Sequence, residues 1–210
     1  LYPMIKERPI LSITTSRGCV FNCDYCAYRA YFGEVRKRNI YGVIDEIEYL
    51  KKKYQIKALL FRDQCLTDDN KRIIELCELM NRKQFNIKWA CETRLETLND
   101  ELIDLMYKAG LRSISTGIES SGNEILKGVN RINANYEKIL KTVRMCERKG
   151  IKIASYYIFG LPDDTVKSIN ETIRMAKKLN TFVSQFFINT PYPGTKSYEN
   201  NKDTLWYSRW

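Results

Sequence analysis

An α/β fold organised around a parallel sheet is what this 210-residue chain predicts, on three observations. Short apolar segments of strand length alternate with longer segments of helical period, as repeated βα units require. The alternation occurs six times, at roughly 25 to 45 residues per unit. The helical segments also end on residues suited to helix termini.

Strands are expected at 10–16 (ILSITTS), 56–61 (IKALLF), 86–91 (NIKWAC), 111–117 (LRSISTG), 151–159 (IKIASYYIF) and 182–189 (FVSQFFIN). Val43, Ile44, Ile47, Leu50 and Tyr54 mark one face of the first helix, and Leu102, Leu105 and Met106 one face of the third. Asn99 and Asp100 offer an N-cap to that third helix, while Gly110 and Gly150 stand where a left-handed residue stops helices three and four. Asp163 and Asp164 are expected to open the fifth, whose apolar face runs through Val166, Ile169, Ile173, Ala176 and Leu179. Right-handed crossovers can join six parallel strands into a flat doubly wound sheet or an incomplete barrel, and periodicity does not choose between them. In both, loops at the carboxyl ends of the strands gather the chemistry.

Residues 1–210 read as one domain with no low-complexity linker. The chain begins at Leu1 rather than Met, so it is expected to be processed or part of a longer protein. Seven cysteines are an odd number in a chain of this size, no secretory leader opens it, and a reducing cytoplasm fits better than a disulfide framework. Charged residues interrupt every apolar run well short of a bilayer span, so no membrane association is expected. The net charge is +10, from 35 Lys and Arg against 25 Asp and Glu. That excess can attract nucleic acid, but much of it falls on helices, as in Lys51, Lys52, Lys53, Lys177 and Lys178, where solvated faces are the commoner use. No RNA- or DNA-binding motif accompanies it. The chain has no histidine, which removes Ser-His-Asp and Cys-His nucleophiles and His-ligated zinc.

Cysteine and carboxylate chemistry remain, and the cysteines are clustered. Cys19, Cys23 and Cys26 follow the first strand in RGCVFNCDYC, with the spacing Cys-x3-Cys-x2-Cys. Three thiolates this close can converge on one iron–sulfur cluster, and a four-iron cubane, which normally takes four cysteines, is then left with one open iron. Cys65, the next in sequence, lies too far along the chain to complete the group locally. A zinc knuckle wants a fourth Cys or His nearby, and buried structural thiols rarely gather in a polar Gly-containing loop. Cys77 and Cys146 occupy apolar helical positions and read as small core residues, whereas Cys65 is placed at the mouth, able to donate hydrogen, bind substrate or simply be buried.

With an aromatic residue, Tyr25, before its last cysteine, this triplet resembles the signature of radical S-adenosylmethionine enzymes. The segments RPILSITTSRGCVFNCDYC, FRDQCLT, CETRLETLNDELIDLMYKAGLRSISTGIES and TPYPGTKSYE are similar to the subgroup associated with cobalamin-binding domains, and to methylthiotransferase relatives. The resemblance covers nearly the whole chain and implies a partial (β/α)6 open barrel resembling a TIM barrel. It implies a [4Fe-4S] cluster on Cys19, Cys23 and Cys26 and S-adenosylmethionine as cofactor, with cobalamin held by a domain outside this sequence. The implied partners are a small-molecule or peptide substrate and an external reductant such as flavodoxin or ferredoxin. An RNA substrate is the alternative within the same chemistry, and a non-catalytic metal-binding module the alternative outside it.

The resemblance also implies roles around the cofactor. Tyr25 packs against it, with a plain core aromatic as the other reading. Gly18 either lets backbone approach the cluster or makes an ordinary turn. After strand two, FRDQC replaces the family's Gly-Gly-Glu, leaving Asp63 or Gln64 to accept from the methionine amino group. After strand three, Glu92 and Arg94 are two positions apart and so share a side; both face the mouth or pair with each other. Glu119 and Ser120 touch amino or ribose groups. Arg131 holds the methionine carboxylate or lies on a solvated helix end. Tyr157 points to cofactor or core, and Tyr192 in TPYPGT is placed on the substrate side. The terminal LWYSRW is expected under the barrel or in a further segment.

Overall fold

A computed structural model describes residues 4–131 and 135–205; residues 206–210 of LWYSRW lie outside them. In chain order the elements are β1 (Ile10–Ile13), β2 (Ser16–Arg17), α1 (Ala27–Phe32), β3 (Arg36–Lys37), α2 (Ile40–Tyr54), β4 (Ala58–Phe61) and α3 (Asn70–Arg82). They continue with β5 (Lys88–Glu92), a 3-10 turn (Leu95–Thr97), α4 (Asp100–Lys108), β6 (Leu111–Glu119), α5 (Asn123–Gly128) and α6 (Tyr136–Arg148). β7 (Lys152–Phe159), α7 (Val166–Leu179), β8 (Val183–Ile188) and α8 (Lys196–Asn201) complete the chain.

Six strands form one all-parallel sheet in the order β1-β4-β5-β6-β7-β8, so each strand pairs with the next sheet strand along the chain. β1 and β8 are its two edges, yet the loop after β1 and the end of β8 line one common cavity. The sheet is therefore curled into an open barrel. All six predicted strands are present. The first stops at Ile13, because Ser16 and Arg17 turn away to pair antiparallel with Lys37 and Arg36.

Side chains alternate along each strand. Leu59, Phe61, Trp89, Cys91, Ile114, Ile153 and Tyr157 point outward into the main core, where they meet Val43, Ile47, Ile73, Leu76, Ile103, Met106, Val143 and Cys146 from the helices. Phe61 and Trp89 meet edge to face at 5.3 Å, and the Trp89 indole N–H donates to the Ala109 carbonyl. The inner face carries small residues, Ala58 and Ala90 among them, against which Ile5 packs. The interior is thus filled at the amino-terminal end of the strands and left open at the other.

The helix stops are those expected: Asn99 accepts from Leu102 N–H, and Gly110 and Gly150 have φ of 110° and 70°. Helix α7 differs. Its N-cap is Thr165, in a reciprocal capping box with Ser168, while Asp164 accepts from the Gly160 N–H and the Ser168 hydroxyl to shape the preceding turn. An Asp-Asp pair is a good N-cap in isolation, but the left-handed backbone of Asp163 (φ 66°) places the helix start two residues later.

Candidate active site

The cysteine loop leaves β1 and is anchored from four directions. Asp63, fully buried just beyond β4, accepts from the Thr15 N–H at 2.9 Å, the Thr15 hydroxyl at 2.8 Å and the Ser16 hydroxyl at 2.6 Å. Asp24 N–H donates to Val129 carbonyl beyond α5, and Ser197 N–H of α8 donates to the Asp24 carbonyl. Phe21 lies under the guanidinium of Arg94, 4.1 Å from ring centroid to Cζ. Gly18, at φ 89°, backs onto the Glu34 carbonyl, which a Cβ would approach to 2.7 Å. Its missing side chain makes room for the returning chain rather than for anything in the cavity.

So held, Cys19, Cys23 and Cys26 line a cavity of about 590 Å³ at the carboxyl ends of the strands. Burial pushes the Cys19 thiol up to about 11, with Cys65, Cys26 and Cys23 adding repulsion, and burial likewise raises Cys23 and Cys26. Tyr25 lines the same wall, and burial raises its hydroxyl well above the usual range, with the Glu119 and Cys23 charges adding to the rise.

Beside the thiols is a charged wall. Gln64, Glu92, Arg94, Glu119 and Arg131 all reach the cavity. Glu92 and Arg94 do share a side but do not pair with each other: Glu92 takes Arg62 at 2.7 Å and Arg94 takes Glu96 at 3.5 Å. Arg131 is 4% exposed, not on a solvated helix end; it donates to the Gly117 carbonyl at 2.6 Å and meets the same Glu96 at 3.5 Å. Glu119 ends β6 with φ 71°, where the pairing with β7 slips, and this strained backbone turns its carboxylate inward. Gly117 packs against it: a Cβ there would lie 1.9 Å from Glu119 Oε1, so the carboxylate would have to move. Burial raises the Glu119 carboxyl above its ordinary value, and Arg131 works against that rise.

Three residues expected to touch a cofactor do not line the cavity. Asp63 is spent on Thr15 and Ser16. Ser120 is buried against the Thr172 hydroxyl of α7 and accepts from Gly122 N–H. Tyr157 is fully buried on the outer face of β7, stacked on Phe186 at 4.9 Å. Its neighbours Tyr156 and Ile158 have the inward parity, and with Phe187, Ile188 and Tyr192 they form an apolar wall. Tyr156 meets Phe187 at 5.9 Å. Glu96 was not anticipated from sequence. Its side chain is 7% exposed and bridges two guanidiniums, but one carboxylate in a short 3-10 turn carries no periodic signal. Cys65 lies at the mouth, 5% exposed, its sulfur 3.4 Å from the Thr93 hydroxyl.

Among the described residues no three Cys, Asp or Glu side chains gather as a single metal ion would need. The donor set suits a larger body held at separate corners: three soft thiol ligands, no fourth protein thiol in the loop, and beside them buried polar atoms without partners, Gln64 Oε1 and Arg131 Nε. An iron–sulfur cubane with one iron left for an amino-acid ligand fits these residues.

An open parallel barrel with three loop thiols at its carboxyl-terminal mouth defines a metal-cofactor enzyme core. Residues 13–176 match the model of the Radical SAM superfamily, and the chain belongs to that family of enzymes. It is 32% identical over 204 residues to an uncharacterized methyltransferase of Pyrococcus horikoshii, covering 95% of this chain and 44% of that protein. It is 30% identical over 205 residues to the anaerobic magnesium-protoporphyrin IX monomethyl ester cyclase of Rubrivivax gelatinosus, covering 97% and 36%. The chain thus spans less than half the length of these curated relatives. Its fold matches the radical S-adenosylmethionine methyltransferase TsrM of Kitasatospora setae, solved with cobalamin and a [4Fe-4S] cluster bound, with a TM-score of 0.85 at 21% identity, covering 92% of this chain and 39% of that one. No helix among the described residues is long and apolar enough to cross a membrane.

Proposed function

We propose that this chain is the catalytic core of a radical S-adenosylmethionine enzyme that methylates or otherwise modifies a small molecule or peptide. The observation that carries the reading is one cavity shared by three loop thiols and a buried pair of guanidiniums. Cys19, Cys23 and Cys26 would hold a [4Fe-4S] cluster, which would offer an open iron to the amino and carboxylate groups of S-adenosylmethionine and supply one electron for its reductive cleavage. The protein's own part is to bind, orient and exclude water.

Arg131 and Arg94 offer N–H groups to a carboxylate in a buried setting where such bonds are strong. Glu119 and Gln64 accept from an ammonium; Asp63, turned to Thr15 and Ser16, does not line the cavity. Tyr25 closes the space between thiols and Glu119. The apolar wall of Tyr156, Ile158, Phe187 and Ile188 suits a flat ring and keeps water from a reactive carbon. Cobalamin, bound by TsrM, would be held by a domain outside this sequence. A one-electron donor such as flavodoxin or ferredoxin is required. The +10 charge supports an RNA substrate only weakly, since no nucleic-acid motif accompanies it.

The test is anaerobic reconstitution with iron and sulfide. Expected are a brown protein, a reduced paramagnetic signal that changes on adding S-adenosylmethionine, and formation of 5′-deoxyadenosine with dithionite. A colourless protein, or one binding a single zinc ion, refutes the proposal.

Glu96→Gln should weaken binding of S-adenosylhomocysteine about tenfold, equivalent to ~1.4 kcal/mol, because the two guanidiniums lose the carboxylate that fixes them. The decarboxylated analogue, which keeps the amine, should bind both proteins alike. Equal losses for both ligands in calorimetry would reduce Glu96 to a packing role.

A further inference from the structure

Beside the cysteine loop, but outside the cavity, lies a surface the proposed chemistry has not used. Arg17 of β2 and Arg36 of β3 are direct cross-strand partners in a two-residue antiparallel ribbon. Like charges placed opposite each other on a ribbon destabilise it. Both side chains are exposed, as is Arg29 on α1. Neighbouring Lys37 and Arg38 are neutralised by Asp68, Asp69 and Glu46, whereas no carboxylate among the described residues pairs with Arg17, Arg29 or Arg36. Arg36 does donate to the Phe32 and Glu34 carbonyls, which fixes its guanidinium in place while leaving its charge uncompensated.

Apolar side chains are interleaved with these cations. Val20 is 48% exposed, Tyr31 69% and Phe32 37%. The ribbon and the end of α1 lie together, because Arg36 donates to the Phe32 carbonyl and Gly18, between Arg17 and Cys19, packs on the Gly33–Glu34 backbone. Exposed arginines among aromatic residues are the composition of protein interfaces rather than of solvated faces. None of these residues lines the cavity, so a partner seated here leaves the mouth free. Arg17 is nonetheless only two residues from Cys19.

Resting on the cluster reading above, we propose that Arg17, Arg29 and Arg36 with Val20, Tyr31 and Phe32 form the docking face for an acidic one-electron carrier protein. Electron transfer falls steeply with distance, so a carrier must sit beside the loop that holds the acceptor. Redox encounters are brief and bury less than about 1,200 Å², so a small patch is the kind of surface they use. In the step itself the carrier is oxidised by one electron and the cluster reduced by one, with no bond made or broken.

The test uses the reconstituted protein and an acidic flavodoxin. Arg17→Glu/Arg36→Glu should raise the flavodoxin dissociation constant at least about tenfold at low salt and slow cluster reduction by reduced flavodoxin by a similar factor, read as bleaching of the cluster absorbance. Iron content and the rate of reduction by dithionite should stay unchanged. Lys52→Glu/Lys53→Glu, on α2, carries the same charge change and should do neither. Equal losses in both double variants, or no loss in the first, overturn the proposal. If the ribbon variant loses iron, Arg29→Glu alone decides: unchanged flavodoxin affinity there overturns it. A 30-nucleotide RNA that competes with flavodoxin for this face and binds more tightly also overturns it. Failure of the wild-type protein to take up a cluster would instead strike the functional reading itself.

Discussion

Replacing Cys19, Cys23 or Cys26 with Ala is expected to take the reconstituted protein from about four irons per chain to less than one, and to lower 5′-deoxyadenosine formation more than about a hundredfold. The cavity explains why one thiol suffices to break the site. The described residues around these three include no histidine and no further loop thiol, and Glu119 and Glu92 already face Arg131 and Arg62. A lost corner therefore has no substitute ligand in place. Outside the triplet, Cys65 is near enough to Cys19 to add repulsion, and it is occupied with Thr93. Cys77→Ala is the control. That thiol is fully buried in the main core and pushed up to about 12 by burial. Its loss should cost about 1 kcal/mol of stability and leave iron uptake intact. Iron analysis and product chromatography on the four variants check both halves, and full iron content in any one loop variant would show that the loop is not the ligand set.

Asp63→Ala should lower the melting temperature by about 10 °C and reduce iron uptake, although Asp63 touches nothing in the cavity. The carboxylate serves three buried donors on Thr15 and Ser16. Each buried donor left without an acceptor costs about 1 to 3 kcal/mol, and the hydroxyls can recover part of that by rotating, so a total of about 3 kcal/mol is expected. Asp63→Asn keeps the shape but turns one acceptor into a donor, and should fall between the two. Calorimetry together with iron content distinguishes this role from cofactor contact. A variant of unchanged stability that loses only S-adenosylmethionine affinity would restore Asp63 to the cavity.

Sequence and structure agree where periodic pattern or fixed spacing carries the signal. The six strands, the stops at Gly110 and Gly150 and the core positions of Cys77 and Cys146 all follow from apolar period and backbone preference. The closing of the sheet into a barrel does not, because curvature depends on how strands pair, and resemblance rather than period supplied it. Among site residues, Gln64, Glu92, Arg94, Glu119, Arg131 and Tyr25 face one cavity. Tyr157 does not, and strand parity explains the difference: Ile153, Ser155 and Tyr157 alternate outward, so Tyr156 takes the inward place. Asp63 was misplaced for a different reason. A carboxylate after a strand looks alike in sequence whether it faces a ligand or ties down the preceding loop, and only the partners, Thr15 and Ser16, tell the two apart. Glu96 shows the same limit in reverse.

Because each member of the sheet lies next to its predecessor in the chain, the barrel can be laid down in the order in which the polypeptide is made. The loop bearing the thiols is made before the other five sheet strands, whereas β8, bearing Phe187 and Ile188, is the last strand of the sheet and shuts the far side of the chamber. A nascent chain would therefore present its cysteine loop long before it has a finished vessel around it, within a half-built, water-filled trough.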